Sequence, residues 1–315
     1  MYVKENDHFD VAGFGSATLD YVCLVGSIAN YNQSIFITDV KFFGGGCVPT
    51  ALVALQRLGR KSAFVSLLGD DWIGKEIIKD LEHEGIYCDE IKLMRDDSSP
   101  FSFIQVNRKL GKRAIAFYPG VSRLIKFDKS AKELIRRSEI LLVDGFTPAE
   151  DLKAAKFARK NRKKVMLDAN IILDGTKELL PYIDYLITSK AFLFEYSEVE
   201  NVSFSLKKVY DDLKPEILVT TLGAEGSAGV IDSEIVYVKT FDDVKVVDTT
   251  GAGDVYHGAF LFGIMNKWDI KDIMIFSSAV SSLKCKSYGG RTGIPDYKTT
   301  MNFLKERGVE IDKFK

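Results

Sequence analysis

Short apolar runs alternate with amphipathic stretches along most of this chain. Asp10–Gly15, Ser62–Leu68, Glu139–Val143, Lys164–Leu167, Tyr185–Thr188 and Glu216–Thr221 have the compact apolar character of strands buried on both faces. Between them, Thr50–Leu58, Gly74–Glu84, Ala149–Lys160 and Ser203–Leu213 place apolar residues at helical spacing. Buried strands alternating with helices predict a parallel sheet covered on both sides. The right-handed crossover rule makes that a doubly wound, mainly parallel α/β fold.

Two segments break the rhythm. Gln33–Phe43 and Phe101–Tyr118 are rich in β-branched and aromatic residues and lack helical spacing. Leu110-Gly111 sits between two strand-like runs and reads as a hairpin turn. These pieces predict a small extra sheet, a β lid built from about residues 17–43 and 97–120 of a single domain spanning 1–315. An antiparallel extension of the main sheet is the alternative. A half-uncovered lid face also suggests a homodimer through the lid.

Composition narrows the class. Apolar residues make up 46% and charged residues 28% of the 315, an ordinary globular mixture able to bury a large core. A formal net charge of −1 gives no general attraction to nucleic acid or an anionic membrane surface. The four cysteines form no Cys-x-x-Cys pair, and the three histidines show no ligand-like spacing, which argues against zinc. The opening residues are polar and unlike a signal peptide, and no apolar stretch is long enough for a membrane span. A cytoplasmic protein with reduced thiols is the expectation.

The chemistry concentrates at Val246-Val-Asp248-Thr-Thr-Gly251-Ala252-Gly253-Asp254, where an apolar extended run meets a glycine-rich turn and then a helix-compatible segment. Glycines let successive N–H groups converge, and a following helix adds its positive end. Such a nest suits a phosphate or the charge developing in a transition state. Asp254 beside it could cap the helix or take a proton from an attacking hydroxyl, and spacing alone leaves both open. No Gly-x-x-x-x-Gly-Lys-Ser/Thr sequence occurs, so this is not a P-loop.

Asp248–Asp254 resembles the C-terminal signature of the PfkB (ribokinase-like) carbohydrate kinases, and the other landmarks follow in order. Gly44-Gly45-Gly46 with Ala51–Gly59 resembles the N-terminal glycine signature and its helix. Leu68-Gly69-Asp70-Asp71-Trp72-Ile73-Gly74 resembles the Gly-Asp-Asp-x-x-Gly turn. Thr220–Gly226 resembles the nucleotide-contacting Thr-x-Gly-x-x-Gly loop. The resemblance spans Asp10 to about Pro295.

It implies ATP-dependent phosphorylation of a hydroxyl of a sugar or sugar-like molecule. Asp254 matches the general base, and Gly251, Ala252 and Gly253 match the anion hole. Thr221, Gly223 and Gly226 match the nucleotide loop, and Asp20, Gly45 and Gly46 match sugar-binding positions. The asparagine that many members carry after the glycines is Pro49 here, which leaves Thr50 or Cys47 to face the substrate. Where many relatives have Asn-x-x-Glu organising Mg²⁺ and phosphate, this chain has Ser189 and Phe192. Ser189 keeps a polar oxygen but the acid is gone, so the residues holding magnesium are not identified. Asp168 and Asn170 end a predicted strand on the same rim, where they could contact phosphate or metal, or simply form a turn. Gly289–Gly293 resembles a segment that in several relatives helps form a monovalent-cation site, so K⁺ joins ATP and Mg²⁺ among the implied cofactors. A nucleoside kinase of the same family is the alternative function, with Phe101, Phe103, Phe117 or Tyr118 stacking on a base. A catalytically silent nucleotide-binding protein is a third reading.

Overall fold

A computed structural model describes residues 8–109 and 113–311, so the hairpin turn expected at Leu110-Gly111 lies outside the described residues. An eight-stranded central sheet runs in the order Glu234–Val238, Ser227–Ile231, Ile217–Thr221, Tyr185–Ser189, Lys164–Ala169, Ser138–Val143, Phe9–Phe14, Ser62–Val65. The six strands from Ile217–Thr221 onward pair in parallel. Alternate residues of one strand enter different cores. Ile140 and Leu142 join one apolar cluster, whereas Leu141 and Val143 join the other. A sheet buried on both faces needs apolar residues at every position, which is why these strands read as continuous runs.

Two expectations need correcting. The run Ser62–Leu68 is not one strand. Ser62–Val65 belongs to the central sheet, and Leu67–Gly69 pairs separately with Lys92–Met94. Between them the Ser66 hydroxyl donates to the Gly15 carbonyl at 2.8 Å. The sheet also continues past Ile217–Thr221 as an antiparallel edge hairpin that the strand-helix rhythm did not anticipate. Its turn residues Asp232 and Ser233 both have positive φ, 50° and 66°, the geometry of a tight two-residue hairpin turn without glycine to signal it.

The two arrhythmic segments form the smaller sheet, ordered Ile37–Gly45, Thr18–Val25, Phe101–Asn107, Arg113–Tyr118, and not an extension of the central one. Register assigns its faces. Tyr21 lies beside Phe42 and Phe103, whereas Asp20 lies beside Phe43 and Ser102, and Ser102 beside Phe117. Asp20 and Phe117 therefore share one face, and Tyr21, Phe42 and Phe103 the other. Phe43 and Tyr288 pack against the apolar cluster of the Asp20 face.

The helices Cys47–Arg57 and Ala252–Met265 meet at unusually short range. A Cβ on Gly258 would come within 2.2 Å of the Ala51 carbonyl oxygen. This glycine joins the helix after Gly44–Gly46 to the helix after the Asp248–Gly251 turn. Among the described residues, no helix is long and apolar enough to cross a membrane.

Candidate active site

The carboxyl ends of the parallel strands converge on one rim, the usual ligand side of an open α/β sheet. Val246–Asp248 adds no strand there, contrary to its extended sequence character. It is held as a loop, with the amides of Val247 and Asp248 donating to the Cys285 carbonyl at 2.8 and 3.1 Å. Asp248 is buried and organises the turn. Its Oδ1 accepts from the Thr250 amide at 2.9 Å and the Thr250 hydroxyl at 2.7 Å, and its Oδ2 accepts from the Gly289 amide at 2.8 Å. Gly251 has φ +74°, and a Cβ there would lie 2.8 Å from the Gly290 backbone. Only glycine fits such a turn.

Gly251 is the N-cap of the helix Ala252–Met265, so Asp254 is the third helical residue and not its cap. The first amides of any α-helix lack intrahelical acceptors and carry the positive end of its dipole. Asp254 is half-buried, and its pKa is pushed up to about 6, first by burial and then by the Asp168 carboxylate. His257 and a hydrogen bond from the Cys47 thiol oppose the rise. A base with that pKa is ionised at neutral pH yet more proton-hungry than an ordinary carboxylate.

Asp168 is fully buried at the end of the strand Lys164–Ala169. Its Oδ1 accepts from Asn170 Nδ2 at 2.5 Å, and its Oδ2 has no partner among the described residues. Burial, with Asp144 adding to it, pushes its pKa to about 8. His257 was not expected. Its Nδ1 lies 2.7 Å from the Gly253 carbonyl oxygen, and its Nε2 lies 3.4 Å both from the Ile187 carbonyl oxygen and from Asp168 Oδ1. Burial lowers its pKa. One turn beyond Asp254 on the same helix face, it could have been found by spacing.

The residues expected to bind the sugar gather around the glycine turn. Asp20 is buried, and its Oδ1 accepts from the Thr18 hydroxyl at 2.9 Å. A Cβ on Gly45 would fall 2.4 Å from Asp20 Oδ2. Gly46 has φ +94°, and its Cβ would meet the Ser16 carbonyl oxygen at 2.5 Å. Thr50, expected to face substrate, is buried one helical turn on, where its hydroxyl lies 3.3 Å from Arg291 Nε. That arginine also donates to the Gly45 carbonyl at 2.7 Å and to Asp80 at 2.5 Å. Cys47 lies beside Asp254 instead.

A cavity of about 640 Å³ lies along the loop, a volume typical of small-molecule sites. Thr221, Gly223 and Gly226 line it together with Thr249, Ala252 and Gly253. Arg113 of the smaller sheet reaches it too and hydrogen-bonds the Thr249 hydroxyl. Nothing in the local sequence pattern singled this arginine out, because only the fold brings it there. Ser189 does not line the cavity. Its hydroxyl caps the helix Lys190–Ser197 by accepting from the Phe192 amide at 3.1 Å, and Phe192 is a core residue.

Cys47, Asp168 and Asp254 offer ligand atoms all within 4.8 Å of one another. This set does not fit a resident magnesium ion, which selects hard oxygen donors. The Cys47 thiol is held well above its ordinary pKa by burial and by the surrounding carboxylates, so it stays a protonated donor to Asp254.

The match to known proteins is as broad as the fold. The family model "pfkB family carbohydrate kinase" matches residues 9–297. A ribokinase from Haemophilus influenzae is 28% identical over 301 residues, covering 92% of this chain and 97% of its own. A nucleoside kinase from Methanothermobacter thermautotrophicus is 25% identical over 306 residues, covering 96% and 97%. The structure of Arabidopsis thaliana ribokinase complexed with ribose and ATP superposes with a TM-score of 0.82 at 23% identity, covering 95% of this chain and 99% of that one. With a family match over nearly its full length and the corresponding fold, the chain belongs to the pfkB family of carbohydrate kinases.

Proposed function

We propose that this chain transfers the γ-phosphoryl group of ATP to a hydroxyl of a sugar or sugar-like molecule, with Asp254 as general base. One observation carries this. Asp254 directly follows Gly253, which lines the cavity, and its carboxylate is hydrogen-bonded by Cys47, which follows the Gly45-Gly46 turn beside Asp20. It thus stands between a nucleotide-sized space and a polar acceptor site.

ATP occupies the cavity along Thr221, Gly223 and Gly226, with its terminal phosphate at Gly251–Gly253. Asp20 accepts from the acceptor's hydroxyls, where Gly45 and Gly46 leave room. The reacting hydroxyl gives its proton to Asp254 as its oxygen bonds to the γ-phosphorus, and the bond to ADP breaks. The helix terminus and loop amides stabilise the charge on the transferring group. Magnesium is part of the substrate, entering as the counter-ion of ATP.

A nucleoside acceptor is the second reading. Phe117 is the one of the four lid aromatics that shares the Asp20 face, and its ring lies 6.2 Å from that of Phe146. Both rings are partly exposed, offering an apolar surface for a base. ADP release measured with a panel of sugars, sugar phosphates and nucleosides tests both readings. Turnover of none of them would overturn the kinase assignment. Turnover of nucleosides alone, lost in Phe117→Ala, would favour the second.

We further infer that the whole chain is one domain with the smaller sheet as its lid, and that two copies pair through the outer lid face. Phe42 and Trp72 are more than half exposed there, and both pack edge-on against Tyr21. Exposed aromatics of this kind mark an association surface. A monomeric mass at assay concentration would remove the dimer.

A further inference from the structure

The implied monovalent cation does not fit this chain, and the reason is Lys284. This residue ends the helix Ile270–Lys284 and is completely buried. Its Nζ donates to the Asp248 carbonyl at 3.0 Å and also to the Thr250 carbonyl. Both carbonyls belong to the loop that opens into the anion site. Burial lowers the Lys284 pKa, and the neighbouring Asp248 carboxylate opposes that by favouring the ammonium form. A buried ammonium persists only with such partners.

The loop carbonyls have a consequence on the opposite side. In a planar trans peptide the C=O and the next residue's N–H point in opposite directions. Binding the Thr250 carbonyl to Lys284 therefore turns the Gly251 amide away from Lys284, and binding the Asp248 carbonyl does the same for the Thr249 amide. Both carbonyls are turned toward one positive charge, leaving the amides on the far side of the loop. A potassium ion orients carbonyls by the same electrostatics, as a point charge ringed by carbonyl oxygens. Here that position is already taken by a cation covalently part of the chain.

We propose that Lys284 is a built-in counterpart of a monovalent cation, which orients the anion-binding loop and makes this enzyme independent of K⁺. This rests on the kinase reading for its catalytic consequence but not for its binding one. Lys284 is a positioning residue, since it reaches the transferring phosphoryl group only through the loop.

The test compares wild type with Lys284→Ala and Lys284→Met across a potassium titration, with tetramethylammonium holding ionic strength constant. Two readouts are taken, melting temperature without nucleotide and kcat with the best acceptor. For wild type, potassium should change neither beyond the tetramethylammonium control. In Lys284→Ala, which leaves a carbonyl-lined hole, kcat should fall on the order of 100-fold, the scale of losing an oriented oxyanion donor, with KM for ATP much less affected. Potassium should then raise both its melting temperature and its kcat saturably. In Lys284→Met, whose side chain fills the hole, potassium should rescue neither. Saturable potassium activation or stabilisation of wild type would overturn the proposal, even if no variant folds. So would a folded Lys284→Ala with wild-type kcat, or one with lowered kcat that potassium does not raise. Absence of turnover by wild type with every acceptor would instead count against the kinase reading, and the melting-temperature comparison would still decide the cation question.

Discussion

The two halves of the site are built in different ways. At the proposed phosphate end, backbone does the work. Gly251 and Gly253 come from one short segment, and carbonyls and amides of that segment are fastened by Asp248 and Lys284, with the Asp248 carboxylate held in turn by the Gly289 amide. At the proposed acceptor end, side chains do it. Asp20 comes from one strand of the smaller sheet, Phe117 from another, and Cys47 from the helix after the glycine turn. Phosphoryl transfer is the same for every acceptor and needs a fixed array of donors, which backbone supplies. Acceptor choice differs between enzymes and is read by side chains on separate elements.

The sharpest break between the halves is Asp254→Asn. It should lower kcat about 10²–10⁴-fold, the usual worth of a general base, while ATP affinity is largely kept. Because Gly251 is the cap, the substitution should leave the helix Ala252–Met265 intact, which circular dichroism will check. A folded variant with near wild-type kcat would end the base assignment.

Gly45→Ala should act on the acceptor half alone. Its Cβ would lie 2.4 Å from Asp20 Oδ2 and Thr18 Oγ1, so the carboxylate must move. KM for the acceptor should rise roughly 10–100-fold, from about 1.4–3 kcal/mol of displaced polar contact, with KM for ATP unchanged. Equal effects on both KM values would mean that the halves are not separable.

pH reads the shared base. With an Asp254 pKa of about 6, kcat/KM should fall as pH drops below that value, because the protonated carboxyl cannot accept the acceptor's proton. Asp168 should affect stability with a different sign. Its folded pKa of about 8 lies above the ordinary aspartate value of 3.8, so between these values the folded chain keeps a proton that the unfolded chain has lost. Stability without ligand should therefore decline as pH rises across that interval. Asp168→Asn should flatten the decline, seen in melting temperatures across the same pH range. An unchanged slope would remove Asp168 as its source.

The smallest effect should come from Ser189→Ala. Its hydroxyl caps a helix outside the cavity, so the variant should lose about 0.5–2 kcal/mol of stability in chemical denaturation and only modest activity. Complete inactivity of the folded variant would place Ser189 in the phosphate half after all.

The legibility of the sequence follows the same division. The glycines of the phosphate end stand out because positive φ and close backbone approach exclude other residues, as at Gly251. The strands of the central sheet were readable because burial on both faces demands unbroken apolar runs. The smaller sheet was visible as a loss of helical spacing. Arg113 and Lys284 were not legible as site components, since a lone basic residue has no periodicity and only tertiary contact gives it a role. The edge hairpin Ser227–Val238 escaped because Asp232 and Ser233 make its turn without glycine. Thr50 and Ser189 kept motif-like positions but turned to Arg291 and to a helix cap.

Gly258 contacts neither half directly, yet it sets the spacing between them. Its missing side chain lets two helices touch at backbone distance, one leading back to the glycine turn at Gly45-Gly46 and the other to Asp254. A single methyl there would meet the Ala51 carbonyl and force the helices apart. The reacting hydroxyl and the phosphoryl group must approach within roughly 3–3.5 Å, and small misplacements are costly. Gly258 thus works as a gauge block. New acceptors can be accommodated by altering the smaller sheet, but a change in the helix spacing would move the base relative to every acceptor at once.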